Sequence, residues 1–162
     1  MAEADANLVA KARISERLGD YYSSLRQNGP AIDAYNQALA AWEEAEVPRD
    51  QINVYRLISL VYRSIGQSQQ AEEQLRTGLE LATELEDERM VASMQEELGT
   101  FYWSLSRYGD ALSSYEQTLA AWQDLGESEN ELRVRKNMFL IYNIIRNYRR
   151  AITYVDGNLG FT

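Results

Sequence analysis

Residues 98–115 read LGTFYWSLSRYGDALSSY. The stretch opens on an apolar-small pair, Leu98-Gly99, followed by Tyr102 and by a turn expected around Arg107 to Asp110. A second helical pattern starts at Ala111, with Tyr115 one turn later. Set against itself at a shift of 40 residues, the chain repeats this stretch without a gap. Ala31, Ala71, Ala111 and Ala151 align, as do Tyr22, Tyr62, Tyr102 and Tyr142. So do Leu18, Ile58, Leu98 and Met138, and Leu25, Ile65, Leu105 and Ile145. Large residues recur at Tyr35, Leu75, Tyr115 and Val155. Gly19, Ser59 and Gly99 are small, whereas the fourth copy has Phe139.

Each copy predicts a hairpin of two unequal antiparallel helices. The first helices are expected at about 7–27, 50–65, 87–106 and 128–147. The second are expected at about 30–46, 68–86, 108–125 and, short and fading at Asp156-Gly157, from 148. The first helix shows Ile14, Leu18, Tyr21, Tyr22 and Leu25 as its inward stripe, and Asn28-Gly29-Pro30 as its turn. Gly66 and Gly126 are expected to stop helices. Trp42 and Trp122 recur at one repeat position, with Ala82 between them, and read as core. A single hairpin cannot bury both of its apolar faces, but stacked hairpins can, which predicts an all-α solenoid with one continuous core. The small residues at 19, 59 and 99 fit a close approach of two helices. The expected organisation is one repeat domain over 1–162, with copies at about 7–48, 49–87, 88–127 and 128–162.

Composition bounds the chemistry. The 162 residues include no Cys and no His. Disulfides, thiolate catalysis, His-based triads, imidazole metal ligands and histidine pH switches are therefore excluded. A net charge of −9 argues against general nucleic-acid binding, which needs a basic field. No apolar run approaches the roughly 18 residues of a membrane span, and the N-terminal segment lacks the pattern of a secretory signal. A cytoplasmic protein is expected. No phosphate-cradling glycine loop, calcium-loop spacing or catalytic motif is present, so no catalytic residue, metal or cofactor is expected.

The pattern Leu-Gly-x-x-Tyr, a turn, then Ala with an aromatic four residues later, resembles the tetratricopeptide repeat. It stands here as Leu18-Gly19, Tyr22, Ala31, Tyr35 and as Leu98-Gly99, Tyr102, Ala111, Tyr115. The period of 40 exceeds the usual 34 or so and looks like the long-repeat branch of the family. The tryptophan usual early in the first helix is absent, with Ser15, Tyr55, Gln95 and Arg135 in its place, and the usual proline survives only as Pro48. The resemblance implies a right-handed superhelix of four copies and eight helices. First helices would line its concave face, and the groove would bind a peptide or helix without catalysis.

First helices together carry +3 of the net charge and second helices −12. Under the family's geometry that makes an acidic back and a mildly basic groove, though an acidic outer face also serves solubility alone. The resemblance places the groove surface at Arg13, Asn53, Arg56, Leu60, Arg63, Thr100, Trp103, Arg133, Lys136, Leu140 and Asn143, among other first-helix residues. Arg56, Arg63, Arg133 and Lys136 would suit an acidic protein or peptide ligand, and Trp103 a hydrophobic anchor. Packing of Trp103 on a neighbouring helix is the alternative. The grip on a terminal carboxylate known in some family members is missing, because Glu16, Asp20, Leu57, Ser93 and Glu97 hold those positions. Ile141, Ile144, Ile145, Ile152 and Tyr154 are expected to be left partly uncovered at the C-terminal end. Two further readings follow from that: self-association through this end, or a regulatory fragment of a larger bacterial-type signalling protein.

Overall fold

The computed structural model describes residues 2–146, with side chains from Ala6 onward. All seven elements of these residues are α-helices: α1 (Ala2–Ser24), α2 (Asn28–Glu44), α3 (Pro48–Ser64), α4 (Ser68–Glu84), α5 (Glu88–Ser104), α6 (Tyr108–Asp124) and α7 (Ser128–Ile144). The chain falls into two compact units, Met1–Glu86 and Asp87–Thr162. In the first, α1 packs on α2, α2 on α3 and α3 on α4; in the second, α5 packs on α6 and α6 on α7. The expected eighth helix, with Ile152 and Tyr154, lies outside the described residues.

The helices are not unequal as the sequence suggested. Each of α2 to α7 has 17 residues. Their length is set by one turn, used at every joint. Arg26, Glu46, Gly66, Glu86, Ser106, Gly126 and Arg146 all have positive φ, between 53° and 75°. They stand 20 residues apart, half the sequence period. At most of these joints the two residues after the helix donate back to its last turn. Arg26 N reaches Ser23 O at 3.0 Å and Gln27 N reaches Tyr22 O at 2.9 Å, and the same pair of bonds recurs after α2, α3, α5 and α6. This pairing satisfies carbonyls that the helix leaves without partners and turns the chain sharply. Gly66 and Gly126 end helices as their type predicts, while the other five residues leave no such signal in the sequence. The helix starts owe little to side-chain caps: Asp87 accepts from Met90 N at 3.2 Å, and the other five N-cap residues make no such bond. Consequently Asn28-Gly29-Pro30 is not a turn but the first turn of α2, and Pro48 is the first residue of α3, where its missing N–H costs nothing.

The small residues at 19 and 99 act as expected. A Cβ at Gly19 would sit on the Tyr35 ring, and one at Gly99 would lie 2.8 Å from Tyr115 Cε1. Where the second copy has Ser59, the facing repeat position holds Leu75 and not tyrosine, so the extra side chain has room. Trp42 and Trp122 are both buried, as is Ala82. The core of the first unit joins Ala12, Ala31, Tyr35, Ala38, Ala41 and Trp42 to Val54, Ile58 and Val61.

The inward stripe of α1 differs from expectation. Ala12, Ser15 and Gly19 are buried and Tyr22 is half-buried. Ile14, Leu18, Tyr21 and Leu25 are exposed, at 66%, 40%, 59% and 49%. Ile65 and Leu85 sit in the exposed turns. At the other end Ile144 and Ile145 are exposed as expected, but Ile141 is fully buried.

Candidate functional site

The first helix of each hairpin carries the expected site residues, and the two units are best taken separately. In the first unit, polar side chains form a line from α1 to α3. Asn53 Nδ2 donates to Glu16 Oε1 at 2.9 Å, and Arg56 Nη2 donates to Asn53 Oδ1 at 2.9 Å. Tyr35 Oη donates to Asp20 Oδ1 at 2.7 Å, so this carboxylate is tied to the second helix of its own hairpin. Burial, then the bond to Asp20, pushes the Tyr35 phenol far above its ordinary value. Leu60 and Arg63 are half-buried and Arg13 is exposed. Among the described residues neither Arg13 nor Arg63 makes a side-chain hydrogen bond or ion pair.

In the second unit the centre is Glu96, one of the other first-helix residues of the groove pattern. It is a buried acid, with 8% of its surface exposed. Arg133 grips it with two prongs, Nε to Oε1 at 2.6 Å and Nη2 to Oε2 at 2.8 Å, and Trp122 Nε1 donates to Oε2 at 3.2 Å. The bond to Glu96 holds the guanidinium pKa above its usual value against the opposing effect of burial. Arg133 is thus already engaged within the unit. Thr100 Oγ1 and Tyr115 Oη share a bond of 3.0 Å, and Asn137 Nδ2 donates to Tyr115 Oη at 3.4 Å. Burial raises the Tyr115 pKa, while these two bonds oppose the rise. Asn143 Nδ2 is turned back to Phe139 O at 3.0 Å. Trp103 is half-buried beside the buried Tyr102, whose ring lies 4.4 Å below the Arg107 guanidinium carbon. Lys136 and Leu140 are exposed, and among the described residues Lys136 has no ion-pair partner.

Of the eleven expected residues, then, Thr100, Arg133 and Asn143 are engaged in internal bonds, and Asn53 and Arg56 bond to one another. Arg13, Arg63 and Lys136 present charge, and Leu60, Trp103 and Leu140 present apolar surface. The engagement of Arg133 had a signal in the sequence. Glu16 with Asn53, and Glu96 with Arg133, are each 37 residues apart, one period less three, which places the two side chains across neighbouring first helices. Among the described residues no three His, Cys, Asp or Glu side chains come together as metal ligands. No described helix is long and apolar enough to cross a membrane.

Helical hairpins repeated at a fixed register, each closed by a small residue against a large one, define an all-α repeat protein. Residues 8–84 match the model of the tetratricopeptide repeat family. No curated protein matches it. Among solved structures it is similar to aspartyl phosphate phosphatase F from Bacillus subtilis, with a TM-score of 0.83 and 15% identity over 93% of this chain and 40% of that one. It is similar to the apo form of RapI, with a TM-score of 0.82 and 18% identity over 93% of this chain and 42% of that one. A Rap protein complexed with Competence and Sporulation Factor gives 0.78 and 20%, over 93% and 42%. The chain therefore spans about two fifths of the length of these three proteins.

Proposed function

We propose that this chain is a non-catalytic scaffold that binds a protein segment, a peptide or a helix, along the exposed side of its first helices. The observation that carries this reading is the set of cations left without partners next to apolar side chains. The first unit carries Arg13 on α1 and Arg63 on α3, one turn from Leu60, and the second carries Lys136 on α7, one turn from Leu140, and the half-buried Trp103 on α5. Such cations suit an acidic ligand, because guanidinium groups pair with carboxylates in two-pronged fashion. Trp103 offers a large rigid contact surface of the kind found at binding hot spots. The solved Rap protein with its bound factor supports the reading as a fold precedent. The likeness to aspartyl phosphate phosphatase F is one of fold, at 15% identity, and carries no activity across. The site residues are taken as Arg13, Asn53, Arg56, Leu60, Arg63, Thr100, Trp103, Arg133, Lys136, Leu140 and Asn143, with Arg133 and Thr100 shaping the surface through Glu96 and Tyr115. The test is affinity capture from lysate with the wild-type chain and with the double variant Arg63→Ala/Trp103→Ala. We expect the double variant to lose a partner that the wild type retains, and equal recovery by both would count against the reading.

Self-association is a second reading, favoured by the exposure of Ile144 at the end of α7. Mass in solution decides it. A monomer that stays monomeric at high concentration would end it.

A further inference from the structure

Glu16 of α1 and Glu96 of α5 share a repeat position, and so do Trp42 of α2 and Trp122 of α6. In the second unit acid and indole are joined: Trp122 Nε1 donates to Glu96 Oε2 at 3.2 Å. The same glutamate takes both prongs of Arg133, so its carboxylate holds three donors, and it is buried. In the first unit acid and indole stand apart. Trp42 is 1% exposed, and its Nε1 is buried with no hydrogen-bond partner. Glu16 is half-buried, and among the described residues its only hydrogen bond is the one from Asn53 Nδ2 to Oε1 at 2.9 Å.

The acid at this repeat position therefore has two seats, and each unit fills a different one. The hairpins that carry them are closed alike, by Gly19 against Tyr35 and by Gly99 against Tyr115. The reach that takes Glu96 to Trp122 is thus open to Glu16 toward Trp42 by a change of side-chain rotamer. A buried indole N–H without an acceptor is unfavourable, and a carboxylate that meets it removes the penalty. Asn53 is what holds Glu16 away. Arg56 Nη2 donates to Asn53 Oδ1 at 2.9 Å, which fixes the amide with its nitrogen toward the acid. Asn53 and Arg56 are both half-buried, so solvent reaches them. The Asn53 amide is already a receiver for a carboxylate on the first helices, and its occupant is one of this chain's own side chains. A second carboxylate arriving there meets the same N–H beside a guanidinium, while Glu16 gives up one N–H for another. Glu96, with its three donors, has no such exchange to make.

We propose that Asn53, oriented by Arg56, is the position where the first unit takes a carboxylate of an acidic peptide ligand, that Glu16 is its internal placeholder, and that the displaced Glu16 turns to Trp42 Nε1. Binding at the surface of α3 is thereby linked to the completion of a hydrogen bond in the core of the first unit. This rests on the ligand surface proposed above and names the group recognised there.

The readout is the indole N–H resonance of each tryptophan in the isotope-labelled full chain, assigned through Trp42→Phe, Trp103→Phe and Trp122→Phe. A hydrogen bond to a carboxylate moves such a proton downfield. Asn53→Ala removes the donor that holds Glu16, so the Trp42 proton is expected to move downfield toward the position of Trp122. The double variant Glu16→Ala/Asn53→Ala is expected to lack that move, and circular dichroism verifies that both variants fold. The ligand probe is a tetraglutamate peptide, acetylated and amidated at its ends, titrated into the wild type at constant ionic strength. It is expected to move the Trp42 proton in the same direction, saturably, and to leave Trp122 in place, while a tetraglutamine peptide moves neither. A Trp42 resonance that Asn53→Ala leaves unmoved overturns the placeholder. A Trp42 resonance that Asn53→Ala moves but tetraglutamate does not, or that tetraglutamine moves equally, overturns Asn53 as a carboxylate position. If capture still loses a partner in Arg63→Ala/Trp103→Ala when either result is found, the scaffold reading stands and this inference alone falls.

Discussion

Glu16 and Glu96 occupy the same repeat position two periods apart, and so do Trp42 and Trp122, yet the two units use them differently. In the second unit Glu96 accepts from both Trp122 Nε1 and the Arg133 guanidinium. In the first, Asn53 stands where Arg133 would be and Glu16 turns to it. Trp42 Nε1 is then left buried without a hydrogen-bond partner. One repeat position, 53 or 133, decides whether the carboxylate is drawn over the indole or away from it. An arginine reaches both oxygens of the acid and fixes its orientation, while an asparagine offers one N–H to one oxygen. The first unit therefore tolerates a defect that the second has repaired. A repeat keeps its packing register while its polar links are exchanged.

The sharpest way to break this comparison is Trp→Phe at both positions. Both changes remove the same atoms from buried sites, so the packing loss is shared. Trp122→Phe also removes a bond to a charged acceptor, about 1.5–3 kcal/mol, and leaves Glu96 short of one donor. Trp42→Phe instead removes an N–H that is already unsatisfied. Chemical denaturation should show Trp122→Phe as the more destabilising by about 1.5–3 kcal/mol. Equal losses would mean that the Trp122–Glu96 bond adds nothing.

How much of this could be read from the sequence depends on which feature repeats. The packing of Gly19 against Tyr35, and of Gly99 against Tyr115, was legible because size complementarity recurs at the period. The sequence carries the same trade further, with Ser59 and Leu75 in the second copy. The burial of Trp42 and Trp122 was legible for the same reason. What periodicity cannot tell is whether a neighbour exists to cover a face. Ile14, Leu18 and Tyr21 have the pattern of Val54, Ile58 and Val61, and the opposite exposure, because no described helix lies on that side of α1. Helix lengths were misjudged because five of seven turns place an ordinary residue at positive φ, where glycine would have marked the joint. At the candidate site, the cations were visible, while the engagement of Arg133 was marked only by its 37-residue spacing from Glu96. Arg133 reads as a free groove cation until Glu96, on the preceding first helix, is found beneath it.

A second contrast lies in the two tyrosines that close the hairpins. Tyr35 donates to the Asp20 carboxylate, which adds to the effect of burial and raises its pKa further. Tyr115 is bonded to the neutral Thr100 and Asn137, which oppose the effect of burial. Below about pH 10, the ordinary phenol value, both folded and unfolded chains hold these protons and stability does not depend on them. Above it the unfolded phenol ionises while the folded one stays protonated, so stability falls as pH rises, by at most about 1.4 kcal/mol per pH unit for each group. Tyr35→Phe should flatten the alkaline limb of a stability–pH profile more than Tyr115→Phe. The reverse order would show that Asp20 is not the decisive neighbour.

The smallest expected difference is at the turns, where the two units are built alike. Each has one glycine among its positive-φ joints, Gly66 and Gly126, and otherwise uses Arg26, Glu46, Glu86, Ser106 and Arg146. An ordinary residue in this conformation is strained by roughly 1–2 kcal/mol, because its Cβ crowds the following carbonyl. Glycine removes that strain but enlarges the unfolded ensemble, which takes back about 0.4–1 kcal/mol. Glu46→Gly in the first unit and Ser106→Gly in the second should therefore each stabilise by about 0.5–1 kcal/mol, as measured by the midpoint of denaturant unfolding. The two joints make the same pair of return bonds, Glu46 N and Val47 N in one and Ser106 N and Arg107 N in the other. Their gains should match for that reason. A gain at one joint only would show that the units differ in their turns as they do in their polar links, and that the 20-residue spacing alone does not make the joints equivalent.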